Sequence, residues 1–168
     1  MTDVPVDLAA AALAGIIAGP VMEIPAYVQR ALHRPLHQDV FAEGGQLLGA
    51  RGRAQRAVGY LGHAALSVII ALLYVGFFRA VGAVDHLVAW GALGGLVHFA
   101  IGGAVVHAVF PVIDPPHAAA GLGRLGFAYA AYGRRDVLTF FGGHIVFGIL
   151  LGVLYPALHT ALNIASAL

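Results

Sequence analysis

Four stretches of the chain are almost continuously apolar, and each has the length of helix that a bilayer requires, about 20 residues. They cover approximately residues 8–27, 57–78, 87–110 and 137–158. None alternates apolar with polar residues as a barrel strand would, and only helix satisfies every backbone group within its own segment in hydrocarbon. The pattern therefore predicts an all-α, polytopic membrane four-helix bundle forming one transmembrane domain over residues 1–168. The second and third segments are joined by a tight hairpin, Arg79–His86, whereas the connections 28–56 and 111–136 are long and hold most of the charge. Asp3 and Asp7 precede the first segment with no basic residue beside them. A secretory signal needs a basic start, so a retained first helix is expected.

The second and fourth segments read as one helix written twice. Gly59-Tyr60-Leu61-Gly62-His63 stands beside Phe140-Phe141-Gly142-Gly143-His144, an offset of 81 residues. Gly52-Arg53 and Gly133-Arg134 precede the two histidines at matched distances, and Tyr74 and Tyr155 follow each by eleven residues. The first and third segments match less well, Ala18-Gly19-Pro20-Val21-Met22-Glu23 against Gly102-Gly103-Ala104-Val105-Val106-His107, at an offset of 84. A tandem repeat of two helical hairpins follows, with Glu23 equivalent to His107 and His63 to His144. Gly15-xxx-Gly19, Gly91-xxx-Gly95 and Gly148-xxx-Gly152 carry the small-residue spacing of helix-packing faces.

Composition supports the membrane reading. Of 168 residues 60% are hydrophobic and 10% charged, with a mean hydropathy of +0.87, against about 25% charged residues in soluble domains. All nine cations are arginine. Eight of them fall in the two long connections (Arg30, Arg34, Arg51, Arg53, Arg56, Arg124, Arg134 and Arg135), and only Arg79 lies at the opposite end. The positive-inside rule then places both long loops in the cytoplasm and both termini outside, N-out/C-out. A net charge of +1 gives no footprint for nucleic acid. Without cysteine there is no disulfide, thiolate metal site, iron–sulfur cluster or dithiol redox pair.

Nine histidines in so apolar a chain are the compositional oddity. His63 and His144 enter their helices from the loop side, and Glu23 and His107 leave theirs toward it. At 1.5 Å per residue all four lie roughly 5–10 Å inside that end. An ionisable group in hydrocarbon is costly and normally faces the bundle interior with a partner. Three imidazoles and a carboxylate suit a transition-metal ion such as Fe, Cu or Zn, so Glu23, His63, His107 and His144 form a candidate metal centre. His63 and His144 alone would serve as axial ligands to a haem b. A proton or ion path, and simple interhelical hydrogen bonding, use the same residues. Pro20 and Pro25 bracket Glu23 and predict a kink there. On a straight helix His98 is half a turn out of phase with His107 and is assigned a packing role. Tyr74 and Tyr155 are expected as interfacial anchors, and His159 is placed at the outer end of the fourth helix.

In the loops His33, His37, Asp39 and Glu43, then Asp114 and His117, read as solvated residues on the side of the polar layer, with an entrance or a second shell to a metal as the alternative. Phe41-Ala42-Glu43-Gly44-Gly45 reads as an interfacial turn. Arg51, Arg53 and Arg56 suit anionic lipid headgroups. No phosphate-binding glycine loop, nucleophile–base arrangement or zinc-protease motif marks an enzyme, and a di-iron site needs more intramembrane acids than Glu23. Gly15-Ile16-Ile17-Ala18-Gly19-Pro20-Val21-Met22 resembles the opening of small, uncharacterised bacterial inner-membrane proteins with four helices, over some ten residues. The resemblance implies an inner-membrane location and no particular activity. Histidines on the second and fourth helices among glycines are similar to the layout of membrane b-type cytochromes. Those with two haems carry a second histidine on each of these helices, so that resemblance implies one haem at most here. The expected partners are membrane lipids and a second copy or a larger membrane complex. The leading expectation is thus an intramembrane metal or haem centre for redox chemistry or metal handling. A proton or ion transporter and a purely structural subunit are the alternatives.

Overall fold

The computed structural model describes residues 4–34, 36–108 and 125–167 and contains no strand among them. The first apolar segment forms α1 (Leu8–Met22) and α2 (Ile24–Ala31), and a short α3 (Val40–Leu47) lies in the first long connection. The remaining segments are α4 (Gln55–Ala80), α5 (Leu87–Ala108) and α6 (Arg134–Ser166). Four helical stretches, Leu8–Ala31, Gly52–Ala80, Leu87–Ala108 and Arg134–Ser166, are long and apolar enough to cross a membrane, consistent with a multi-pass membrane protein. Residues 109 and 110, where the third helix was expected to end, lie outside the described residues, as do Asp114, His117 and Arg124.

The kink expected near Glu23 is present as a break between helices. Glu23 is the C-cap of α1, and its N–H donates to the carbonyl of Pro20; it is also the N-cap of α2. Pro25 occupies the first turn of α2, where a missing N–H costs nothing. The interfacial turn expected around Phe41 is instead the helix α3, capped by Asp39, whose carboxylate accepts from the N–H of Ala42. Two glycines let α3 lie on the start of α4. A Cβ at Gly45 would fall 1.8 Å from the carbonyl oxygen of Gln55, and one at Gly59 would fall 1.7 Å from that of Phe41.

Around the bundle α1 packs on α4 and α6, α5 packs on α6, and α4 meets α5 more loosely through Tyr74 and Phe77. All three small-residue motifs lie at these contacts. Gly91 and Gly148 face each other so closely that a Cβ on either would sit about 2 Å from the other's carbonyl oxygen, 2.1 and 2.0 Å respectively. Gly15 and Gly19 take Ser67 of α4 in the same way. Without a hydrophobic drive between helices in lipid, association rests on such close packing. Ala10, Ala14 and Ala18 of α1 complete the core with Tyr74, Phe78, Phe147, Leu151 and Tyr155. Leu61, Ile69, Leu73 and Ile101 lie exposed on the outer faces.

At the end away from the long loops, Tyr155 and Tyr74 are buried rather than interfacial. The Tyr155 hydroxyl donates to the carbonyl of Pro5 and accepts from the N–H of Asp7, so it fastens the entry to α1. Arg79 donates to the carbonyl of Val4, 2.7 Å away, and Asp7 pairs with His159 at 2.8 Å. The N–H of Ala10, then the hydrogen bond from His159, hold the Asp7 carboxyl below its ordinary 3.8. A depressed carboxyl contributes stability that is present above its unfolded value and lost as pH falls through its folded value. Thermal unfolding between pH 6 and 3 should therefore show wild type losing its advantage over Asp7→Asn on the acid side. A pH-independent difference would remove the pair from the stability balance. Gly148→Ala should cost about 2 kcal/mol through overpacking, whereas Gly76→Ala, whose Cβ meets nothing within 4 Å, should stay within about 1 kcal/mol of wild type.

Candidate functional site

The loop end of the bundle is closed by polar contacts between segments far apart in sequence. Asp136, in the first turn of α6, is 1% exposed and accepts from the backbone N–H groups of His37 at 2.8 Å and Gln38 at 3.0 Å. His37 Nδ1 lies 3.3 Å from its second oxygen. Gln29 on α2 donates to Thr139 on α6 at 2.7 Å. Just before α6 a 3-10 segment, Phe127–Tyr132, holds Ala128 and Tyr129 in the left-handed region at φ 51° and 63°. That turn sends the Tyr129 side chain inward, where its hydroxyl donates to Glu43 of α3. Burial, and then the Glu43 carboxylate, push the Tyr129 phenol well above its ordinary value, so it remains the proton donor of this bond.

Beneath this closure lies a cavity of about 20 Å³ bordered by Glu23, Gln38, Tyr129, Thr139 and His144. That is room for one water, and these side chains offer it more than enough polar partners. Glu23 reaches the cavity because the break between α1 and α2 sets it on the bundle side, and His144 reaches it from α6. The carbonyl of Phe140, 2.7 Å from His144 Nδ1, can only accept. Nδ1 therefore carries the hydrogen and Nε2 is the acceptor. Nε2 lies on the side of Gly102, 3.0 Å from where a Cβ there would be, so a glycine at 102 makes room for the ring.

His98 sits against His144, ring centroids 4.4 Å apart and 73° between planes. It is followed edge-on by Tyr74 of α4 at 6.2 Å. Among the described residues His98 Nδ1 and the Tyr74 hydroxyl are buried with no hydrogen-bond partner. Orphaned polar atoms of this kind are rare enough in folded proteins to require an explanation.

The four residues expected to converge do so only in part. Glu23 and His144 share the cavity. His63 instead turns to α1, with Nε2 3.3 Å from the carbonyl of Gly19 and its ring against Phe41. His107 is exposed. Its place inside the bundle is taken by His98, the residue assigned a packing role. The signal for His98 was present in the spacing: it follows Gly95, Gly94 and Gly91 by three, four and seven residues, on the face that α5 turns to its neighbours. Phase relative to His107 was the wrong reference, because the partner helix decides which face is inside.

Among the described residues no group of three or more His, Asp or Glu side chains is placed to hold a metal ion. Haem also does not fit the residues proposed for it. His63 and His144 address different neighbours, and the cavity beside His144 is more than tenfold smaller than the roughly 300 Å³ at which small-molecule pockets begin. No known protein family, curated protein or solved structure matches the chain.

The Asp136 contacts have a measurable consequence. Asp136→Ala leaves two backbone N–H groups without an acceptor in a buried setting and should destabilise by about 3 kcal/mol. Asp136→Asn keeps one acceptor and should recover part of that loss in thermal unfolding of the purified protein.

Proposed function

We propose that this protein is a small membrane proton conduit or proton-coupled transporter, with Glu23, His144, His98 and Tyr74 as its charge-handling residues. The observation that carries this reading is a run of protonatable side chains inside the bundle, joined by ring contacts beyond His144. Glu23 and His144 border one water-sized cavity, His144 touches His98, and His98 touches Tyr74. Ionisable groups inside a membrane bundle are costly and mark substrate or ion pathways and proton relays. Glu43 and Tyr129 stand at the loop end of the run, which this reading takes as the cytoplasmic end because most arginines lie there. A proton entering there reaches Glu23 through the cavity water, within the one-water range that proton transfer tolerates. His144 accepts at Nε2 while Nδ1–H stays on the Phe140 carbonyl, and His98 and Tyr74 continue the path outward. The 81-residue correspondence is read as an old duplication whose copies have diverged, one histidine joining the relay and the other bonding to α1. A metal centre loses its support once His107 and His63 are directed elsewhere.

Proteoliposomes with a trapped pH dye and an imposed potassium diffusion potential test this. Wild type should carry protons, Glu23→Gln and His144→Phe should each lower the flux at least about tenfold, and His107→Gln should leave it unchanged. Glu23→Gln is nearly isosteric and guards against loss through misfolding. Flux no greater than in protein-free vesicles, or full flux in Glu23→Gln, would overturn the reading. A stoichiometric transition metal or a Soret band in freshly purified protein would replace it with the redox alternative.

A further inference from the structure

On the outside of the bundle, a groove of about 520 Å³ runs between α2 and the first half of α6. One wall is Pro25 and Gln29; the other is α6 from Arg134 and Arg135 past Leu138 to Val146. Twelve residues of helix make it about 18 Å long, which reaches from the interface to about the middle of a 30 Å hydrocarbon core. Its two ends differ in chemistry. The deep part is apolar, with Leu138 and Pro25 exposed to it and Gly142 as an open floor where a Cβ would meet nothing within 4 Å. The mouth holds two guanidinium groups.

Those two charges have no carboxylate partner among the described residues. The acid next in sequence, Asp136, is turned away from the groove: its Oδ1 accepts from the N–H groups of His37 and Gln38, and its Oδ2 lies 3.3 Å from His37 Nδ1. Among the described residues neither Arg134 nor Arg135 has an ion pair. Two exposed arginines lining the mouth of an apolar slot one acyl chain long match a single amphiphile: a phosphate at the mouth and a hydrocarbon chain below it. The geometry points to a specific site for an anionic phospholipid in this groove, its phosphate held by Arg134 and Arg135 and one acyl chain lying along Leu138, Gly142 and Val146. The site is independent of the proton path and needs only that the helices lie in a bilayer.

Native mass spectrometry of the full chain, delipidated in detergent and titrated with phosphatidylglycerol or phosphatidylcholine of equal chain length, tests this. Wild type should prefer phosphatidylglycerol on the order of tenfold. Arg134→Gln with Arg135→Gln should abolish the preference, and Gly142→Leu, which fills the slot and leaves both arginines, should weaken phosphatidylglycerol binding several-fold. Glycerol phosphate at the same concentrations should not displace the bound lipid. Equal binding of the two lipids by wild type, or a preference that survives the double arginine variant, overturns the site. Displacement by glycerol phosphate overturns the lipid as its occupant.

Discussion

The close approach of α5 to α6 is the contact on which the rest of the arrangement depends. Gly91 and Gly148 bring two backbones within contact of each other's carbonyls, and Gly152 and Gly95 extend the seam along both helices. In water such an interface would be assisted by the expulsion of solvent from apolar faces. Lipid chains offer no comparable gain, so the seam holds by dispersion contacts that only glycine permits at this distance. The same seam determines the polar geometry. Once it is formed, His98 and His144 are forced ring against ring, and Gly102 leaves the space into which the His144 imidazole projects.

A second constraint acts at the loop end, where the bundle is closed by side chains instead of lipid. Asp136 gathers the chain at His37 and Gln38, and Tyr129 reaches α3 through Glu43. These bonds draw the two long connections together over the cavity between Glu23 and His144, so the half-buried carboxylate and the buried imidazole border one confined space. A buried polar network of this kind stabilises only when its members are satisfied. Here the loop end meets that condition, while His98 and Tyr74, deeper in, do not.

The outer surface answers to a different solvent. Arg134 and Arg135 stay outside the closure that consumes Asp136, and among the described residues the groove below them is neither filled by a helix nor sealed by a loop. Inside and outside of α6 thus divide by chemistry within a single turn. Asp136 faces protein, and the two arginines before it are exposed on the outer surface.

The four long apolar helices were legible in the chain itself, because spans of apolar residues in hydrocarbon have one economical backbone conformation, whereas the short α3 was not. The break at Glu23 followed from two prolines, and the packing faces from glycines spaced four apart; both effects act within one or two turns. Which polar residues meet was not legible. His107 and His98 are half a turn apart on one helix, and nothing local to α5 says which side its neighbour will take. Tyr155 looked like an interfacial anchor until the chain before α1 folded back onto its hydroxyl. Depth along each helix was thus written in the sequence, since rise per residue is constant. Rotation about each helix was decided only by tertiary packing, because it depends on where the other three helices place their glycines.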